Sequence, residues 1–203
     1  MSDKIESFGD CWNTFKDWNK LDFLKDIVLD PRPEQSYSEL EILYGHLEKL
    51  RPSNILEIGT RIGGTLRFWI NLAADDAKII VIDKNIIPQL IPIWNSWLRK
   101  NQKLFIIDKD SLKDKEFILS NIHTILGESK LDFLHIDGEH ITLFTKSDFE
   151  TYAPLVRKGG IIAFHDIAPF PINQYEIVIY WDELKKALLE ISYIDTIEII
   201  CRH

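Results

Sequence analysis

The sequence predicts an α/β fold: a doubly wound, mostly parallel sheet with helices on both faces and a helical extension at the N-terminus. Three observations predict it. From Asn54 onward, short apolar runs (ILEI, KIIVID, LFIID, LDFLHI and GGIIAF) alternate with helical patterns, and strands alternating with helices at that spacing build parallel sheets. The runs are β-branched and apolar with no polar face, as in strands covered on both sides. Each run also leads into glycine, acidic or imidazole residues, and the carboxyl edge of such a sheet is where ligands bind.

Residues 1–50 read as the extension. They are helical in pattern and rich in aromatics (Phe8, Trp12, Phe15, Trp18 and Phe23), broken at Asp30-Pro31-Arg32-Pro33, and followed by an apolar face of Leu40, Leu43, Leu47 and Leu50. The aromatic stripe is read as packing against the body, with a lid or a dimer contact as the alternative. Residues 51–203 read as the core. ILEI leads to a helix over Gly63–Ala74, KIIVID to a Pro-punctuated helix ending near Lys100, and LFIID to a helix over Leu112–Leu126. LDFLHI and GGIIAF flank a helix with Phe144, Phe149, Tyr152 and Leu155 near helical spacing, stopped at Pro154 and Arg157-Lys158-Gly159-Gly160. Strand, helix, strand implies a right-handed crossover between neighbouring parallel strands. A last helix over Ile177–Ile191 and a last strand over Tyr193–Cys201 close the chain.

With 203 residues, 45% of them hydrophobic, the chain suits one substantial core spanning 1–203. A net charge of −8 without a basic stripe argues against nucleic-acid binding. No apolar run is long enough to span a membrane and MSDKIESFGD is no signal peptide, so a cytoplasmic protein is expected. Cys11 and Cys201 lie near opposite ends, which suggests neither a disulfide framework nor a zinc site.

Glu57-Ile58-Gly59-Thr60-Arg61-Ile62-Gly63-Gly64 follows the first strand and opens a helix. Gly59 permits a tight turn, and Gly63 and Gly64 would let the helix N-terminus approach a ligand closely. Arg61 stands where a dinucleotide fingerprint has glycine. Glu57 could order the loop and attract a cationic sulfonium or amino-acid group, whereas it would repel a pyrophosphate. Asp83 ends the second strand, placed to accept both hydroxyls of a ribose. Asp110 or Ser111 could meet an adenine amino group, or could cap the following helix. Asp137-Gly138-Glu139-His140 and His165-Asp166 end two consecutive strands. Either cluster alone would pass for a turn or a cap. Together, two carboxylates at one rim form a candidate divalent-metal site.

LEIGTRIGGTLRFW, VIDK, DKDS, LDFLHIDGEH and DFETYAPLVRKGGIIAFHDI together resemble the Rossmann-like class I S-adenosylmethionine-dependent methyltransferases. More narrowly, they resemble the metal-dependent small-molecule O-methyltransferases that include macrolide-sugar and cephalosporin-biosynthesis relatives. The resemblance covers roughly Gln35 to Leu188. It implies Glu57, Gly59 and Gly63 around the methionine part of the cofactor, with Thr60 and Gly64 in the same loop. It puts Asp83 on the ribose and Asp110-Ser111 on the adenine edge. It implies Asp137 and Asp166 as metal ligands, with His165, where many relatives carry an acid, either a ligand or the partner of one. Magnesium is the expected ion; an imidazole would also tolerate manganese. His140 falls where similar enzymes carry a lysine or histidine general base, and Glu139 is the other candidate.

The expected reaction is therefore methyl transfer from S-adenosylmethionine to a hydroxyl of a sugar or natural product. The alternatives are a metal-independent methyltransferase, a non-catalytic cofactor-binding partner and a nicotinamide-dependent oxidoreductase. Class I methyltransferases usually finish with two further strands, one of them antiparallel. Only Tyr193–Cys201 remains here, so that hairpin is expected to be incomplete, with an exposed edge that the N-terminal helices or a second copy in a homo-oligomer could cover.

Overall fold

The computed structural model describes residues 6–14, 35, 37–139, 141–165, 180–186 and, for the backbone, 197–200. The extension contributes α1 (Phe8–Thr14) and α2 (Tyr37–Leu50), followed by β1 (Asn54–Ile58), α3 (Gly64–Leu72) and β2 (Lys78–Asp83). A 3-10 turn at Pro88–Leu90 leads into α4 (Ile91–Ser96), then β3 (Lys103–Asp108), α5 (Lys115–Leu126), β4 (Leu131–Ile136) and α6 (Thr142–Tyr152). A second 3-10 turn, Ala153–Leu155, precedes β5 (Val156–Phe164); residues 180–186 are helical, and β6 is Ile197–Ile200.

The sheet order is β3-β2-β1-β4-β5-β6, with every pair parallel. The chain runs outward from β1 to β3, then returns to the other side of β1. That reversal opens the crevice beyond the ends of β1 and β4 in which such folds bind ligands. β6 is parallel to β5, and no antiparallel strand occurs among the described residues. No described helix is long and apolar enough to cross a membrane.

Alternation along each strand divides the core in two. Ile55, Ile79, Val81 and Phe133 meet α2, α3 and α4 on one face, around the buried Trp69 and Trp94. Leu56, Ile58, Ile80, Ile82 and Leu134 meet α5, α6 and the helical residues 180–186 on the other. The extension docks on the first face. Phe8 packs at 5.3 Å from Tyr44 and 5.4 Å from Phe68, centroid to centroid. The Glu6 backbone also pairs with the Asn71 side chain, receiving Nδ2 at 2.8 Å and donating its amide to Oδ1 at 2.9 Å. Phe8 and Trp12 therefore pack against the body, while Phe15, Trp18 and Phe23 lie outside the described residues.

Some element boundaries differ from the sequence reading, each for a local reason. α5 starts at Lys115 rather than Leu112, because Asp110 Oδ1 accepts the amides of Leu112 (3.1 Å) and Lys113 (3.0 Å) and holds residues 110–114 as a turn. β5 starts at Val156 and carries an irregularity against β4: Leu131 pairs with Val156, but Phe133 with Ile161. The buried stripe of α6 is Thr145, Asp148 and Tyr152; of the apolar set expected, Tyr152 lies on it, and Phe149 and Leu155 pack half-buried against the core.

Candidate active site

A cavity of about 640 Å³ opens at the carboxyl edge, where the ends of β1, β2, β3 and β4 converge. That is large enough for a nucleoside-sized ligand. Gly59, Asp83, Asp110, Ser111, Asp137 and Glu139 all line it. The fold thus brings together residues from four separate strand ends.

The glycine loop shapes the cavity floor. A Cβ on Gly59, which has φ 86°, would sit 1.8 Å from the carbonyl oxygen of Asp137, so only glycine lets β1 and β4 approach this closely. Gly63 is needed for a different reason than ligand approach. Its φ is 89°, and a Cβ there would fall 2.3 Å from Nε1 of Trp94, which itself donates to the Ile62 carbonyl at 3.1 Å. Neither Gly63 nor Gly64 lines the cavity.

Glu57 also lies away from the cavity. It is fully buried, and its carboxylate accepts from Thr60 Oγ1, Thr65 Oγ1 and Trp69 Nε1, each at 2.6 Å. His135 Nδ1 stands 3.4 Å from the same group. This network ties the loop and the first turns of α3 to the floor of the sheet. Thr60, only 2% exposed, is spent on it. The electrostatic case against a pyrophosphate made from Glu57 therefore does not carry over, since the charge is sealed beneath the loop and satisfied there.

Asp83 is held ready from two sides. Its Oδ2 accepts the Arg61 amide at 2.7 Å and its Oδ1 the Asn85 amide at 2.8 Å, leaving each oxygen further acceptor capacity toward the cavity. Arg61 reaches it by adopting a positive φ of 49°. Asp110 combines the two roles left open by the sequence: it caps the turn and lines the cavity. Burial opposes its ionisation, yet the Lys113 and Leu112 amides with the Lys113 and Lys84 charges hold its carboxyl below the ordinary value.

At the β4 end, the Asp137 amide continues the ladder to Ile58 (2.8 Å) and the His165 amide to Ile136 (3.0 Å). This puts His165 Nδ1 2.9 Å from Asp137 Oδ1. The other oxygen, Oδ2, accepts Gln35 Nε2 at 2.7 Å. Among the described residues no three His, Cys, Asp or Glu side chains form a metal cluster; Asp166 and His140 lie outside them. The residues present nonetheless suit a divalent ion. Neighbouring ligands of an octahedral ion with bonds of about 2.1 Å lie about 3 Å apart, and the Gln35 carbonyl oxygen is buried with no hydrogen-bond partner. Glu139 is ion-paired with Lys84 across the cavity mouth, which raises the ammonium's pKa.

Sequence reasoning missed Gln35, Lys84 and Asp148. Asp148 carried a signal: with Phe144 and Tyr152 it repeats every four residues, so an acid faces inward. It is 1% exposed, its Oδ2 lies 3.4 Å from where a Cβ on Gly138 would be, and neither oxygen has a donor in hydrogen-bonding geometry. Burial pushes its carboxyl up to about 7, the nearby Ser111 hydroxyl offsetting only part of the rise. A raised acid binds a proton that the unfolded chain has released, so this group lowers stability as pH climbs from about 3.8 to about 7, with no further loss above. Asp148→Asn should therefore gain on the natural chain by roughly 2–3 kcal/mol more at pH 8 than at pH 5. Urea unfolding at both pH values measures this; a difference independent of pH would mean that Asp148 folds ionised.

None of the curated proteins compared matches the chain. Among solved structures, the chain is similar to the O-methyltransferase TomG from Streptomyces achromogenes, involved in tomaymycin synthesis and solved with SAM. The TM-score is 0.55 at 13% identity, over 92% of this chain and 80% of that one. It is likewise similar to the MycE methyltransferase of the mycinamycin pathway, solved with Mg and SAH (TM-score 0.55, 21% identity, 81% of this chain and 50% of that one). An NADH-dependent reductase solved with NAD is almost as similar (TM-score 0.54, 13% identity, 75% and 78% coverage), so these likenesses establish a shared fold and leave the cofactor open. The sequence itself is more specific: residues 56–167, more than half of the chain, match the model of the methyltransferase domain, and the chain belongs to that family.

Proposed function

We propose that the protein is an S-adenosylmethionine-dependent O-methyltransferase acting on a hydroxyl of a small molecule, a sugar or natural product, with the help of a divalent metal. The observation that carries this reading is the continuity of the rim: the cavity ends at Asp137, whose carboxylate is also the meeting point of His165 and Gln35. A nucleoside cavity thus abuts a group of metal-type donors. MycE, of similar fold, was solved with both Mg and SAH.

S-adenosylmethionine supplies the electrophilic methyl group, and a bound magnesium or manganese ion makes the acceptor hydroxyl more acidic and orients it. The chain's own residues do the rest. Asp83 accepts the ribose hydroxyls, Asp110 and Ser111 meet the adenine edge, and Ile82, Ile87 and Phe144 provide apolar walls. Asp137, His165 and Asp166 hold the ion. His140 accepts the hydroxyl proton, a role imidazole fills near neutrality with little tuning. Glu139 and Ile141, its neighbours in the sequence, both line the cavity.

Calorimetry tests the cofactor assignment without knowledge of the acceptor. The chain should bind S-adenosylmethionine and not NAD, and Asp83→Ala should weaken binding by about 1–3 kcal/mol by leaving ribose hydroxyls unpaired. Tight NAD binding without S-adenosylmethionine binding would overturn the assignment.

A further inference from the structure

Gln35 is 102 residues from Asp137 in sequence, yet its side-chain amide reaches the carboxylate at the sheet rim. The orientation of a glutamine amide is ordinarily a matter of inference from its partners. Here the partner decides it: a carboxylate only accepts hydrogen bonds, so the NH2 end must face Asp137 Oδ2 and the carbonyl must face elsewhere. That carbonyl oxygen, Oε1, is buried and has no donor. Buried acceptors of this kind are normally satisfied, and the carboxylate that Gln35 holds, Asp137, with His165 at its other oxygen, offers groups that ligate a cation.

We propose that Gln35 is part of the metal-binding set, its Oε1 supplying a neutral oxygen beside the Asp137 carboxylate. The inference rests on the metal-dependent reading above and goes beyond it, by assigning a ligand from outside the methyltransferase domain match at residues 56–167. Hard divalent ions favour oxygen, and glutamine carbonyls are among the oxygens they take. The described pair beside Gln35 is one carboxylate and one imidazole, so an amide oxygen moves the set toward oxygen without adding charge. The hydrogen bond that the Gln35 side chain donates to Asp137 Oδ2 serves the same end by fixing the orientation of that carboxylate. Gln35 is then joined to the catalytic rim: binding the ion and docking this side chain stabilise each other.

Mn2+ titration of the full chain, followed by the electron paramagnetic resonance signal of free Mn2+, separates the possibilities without any turnover. The natural chain should bind Mn2+, and Asp137→Ala should not. Gln35→Ala should weaken binding by roughly 10–100-fold, the usual scale for removing a group that serves a metal centre. Gln35→Glu should bind at least as tightly as the natural chain, since a carboxylate keeps the oxygen at that position. If Gln35→Ala binds like the natural chain, the inference fails while the metal reading stands. If Gln35→Glu is as weak as Gln35→Ala, Gln35 acts only through its NH2 on Asp137 and the inference again fails. Should Gln35→Ala not fold, judged by its thermal transition, Gln35→Glu decides alone. A natural chain that binds no Mn2+ overturns the metal reading and this inference with it.

Discussion

Replacing Asp137 with alanine should reduce metal-stimulated methyl transfer on the order of 10³-fold or more, the scale of losing several kcal/mol of charge stabilisation at the reacting oxygen. Affinity for S-adenosylmethionine should hold within a few-fold, because the ribose and adenine contacts are assigned to Asp83, Asp110 and Ser111, and the backbone of Asp137, whose amide is bonded to Ile58, stays in place when its side chain is removed. Its carboxylate is engaged by Gln35 and His165. Turnover with and without EDTA, set beside a binding isotherm for each variant, makes the comparison. Full activity in Asp137→Ala, unaffected by chelation, would leave a metal-independent mechanism in which an uncoordinated hydroxyl is deprotonated directly.

Removing His140 should lower kcat by roughly 10²–10⁴-fold, the range typical of a lost general base, with Mn2+ affinity nearly unchanged. The competing base is Glu139. It lines the cavity but is paired with Lys84 from the end of β2, and it would have to give up that partner to reach a substrate proton. His140→Ala should therefore cost more than Glu139→Gln, and the pH–rate profile of His140→Ala should lose its limb near neutrality. A larger loss in Glu139→Gln would transfer the role to the carboxylate and make Lys84 its regulator.

The strands were legible because each is a short, mainly apolar run without a polar face, the pattern of a sheet buried on both faces. KIIVID and LDFLHI are β2 and β4 residue for residue. The carboxyl-edge position of Asp83, Asp110 and Asp137 followed from the same pattern, since a residue that ends a strand has only one place to be. Less legible was what each side chain does there. Glu57 reads as a ligand group by position, but three donors from Thr60, Thr65 and Trp69 consume it, and those partners meet it only once α3 folds back on the sheet. Gly63 reads as an opening for a ligand, yet the indole of Trp94 occupies the space, from a helix more than thirty residues on. Gln35 carries no signal at all in the sequence, being a single polar residue in a polar stretch. Its part in the rim exists only in three dimensions.

The central claim is that one rim holds both the cofactor and the ion, with Asp137 between them. The most direct measurement is a crystal structure with S-adenosylhomocysteine and Mn2+, with the ion located by its anomalous scattering. The account predicts ribose on Asp83, adenine toward Asp110 and Ser111, and one anomalous peak within coordination distance of Asp137 and Asp166. Cofactor bound in the cavity with no peak at Asp137, at Mn2+ concentrations that support turnover, would contradict it.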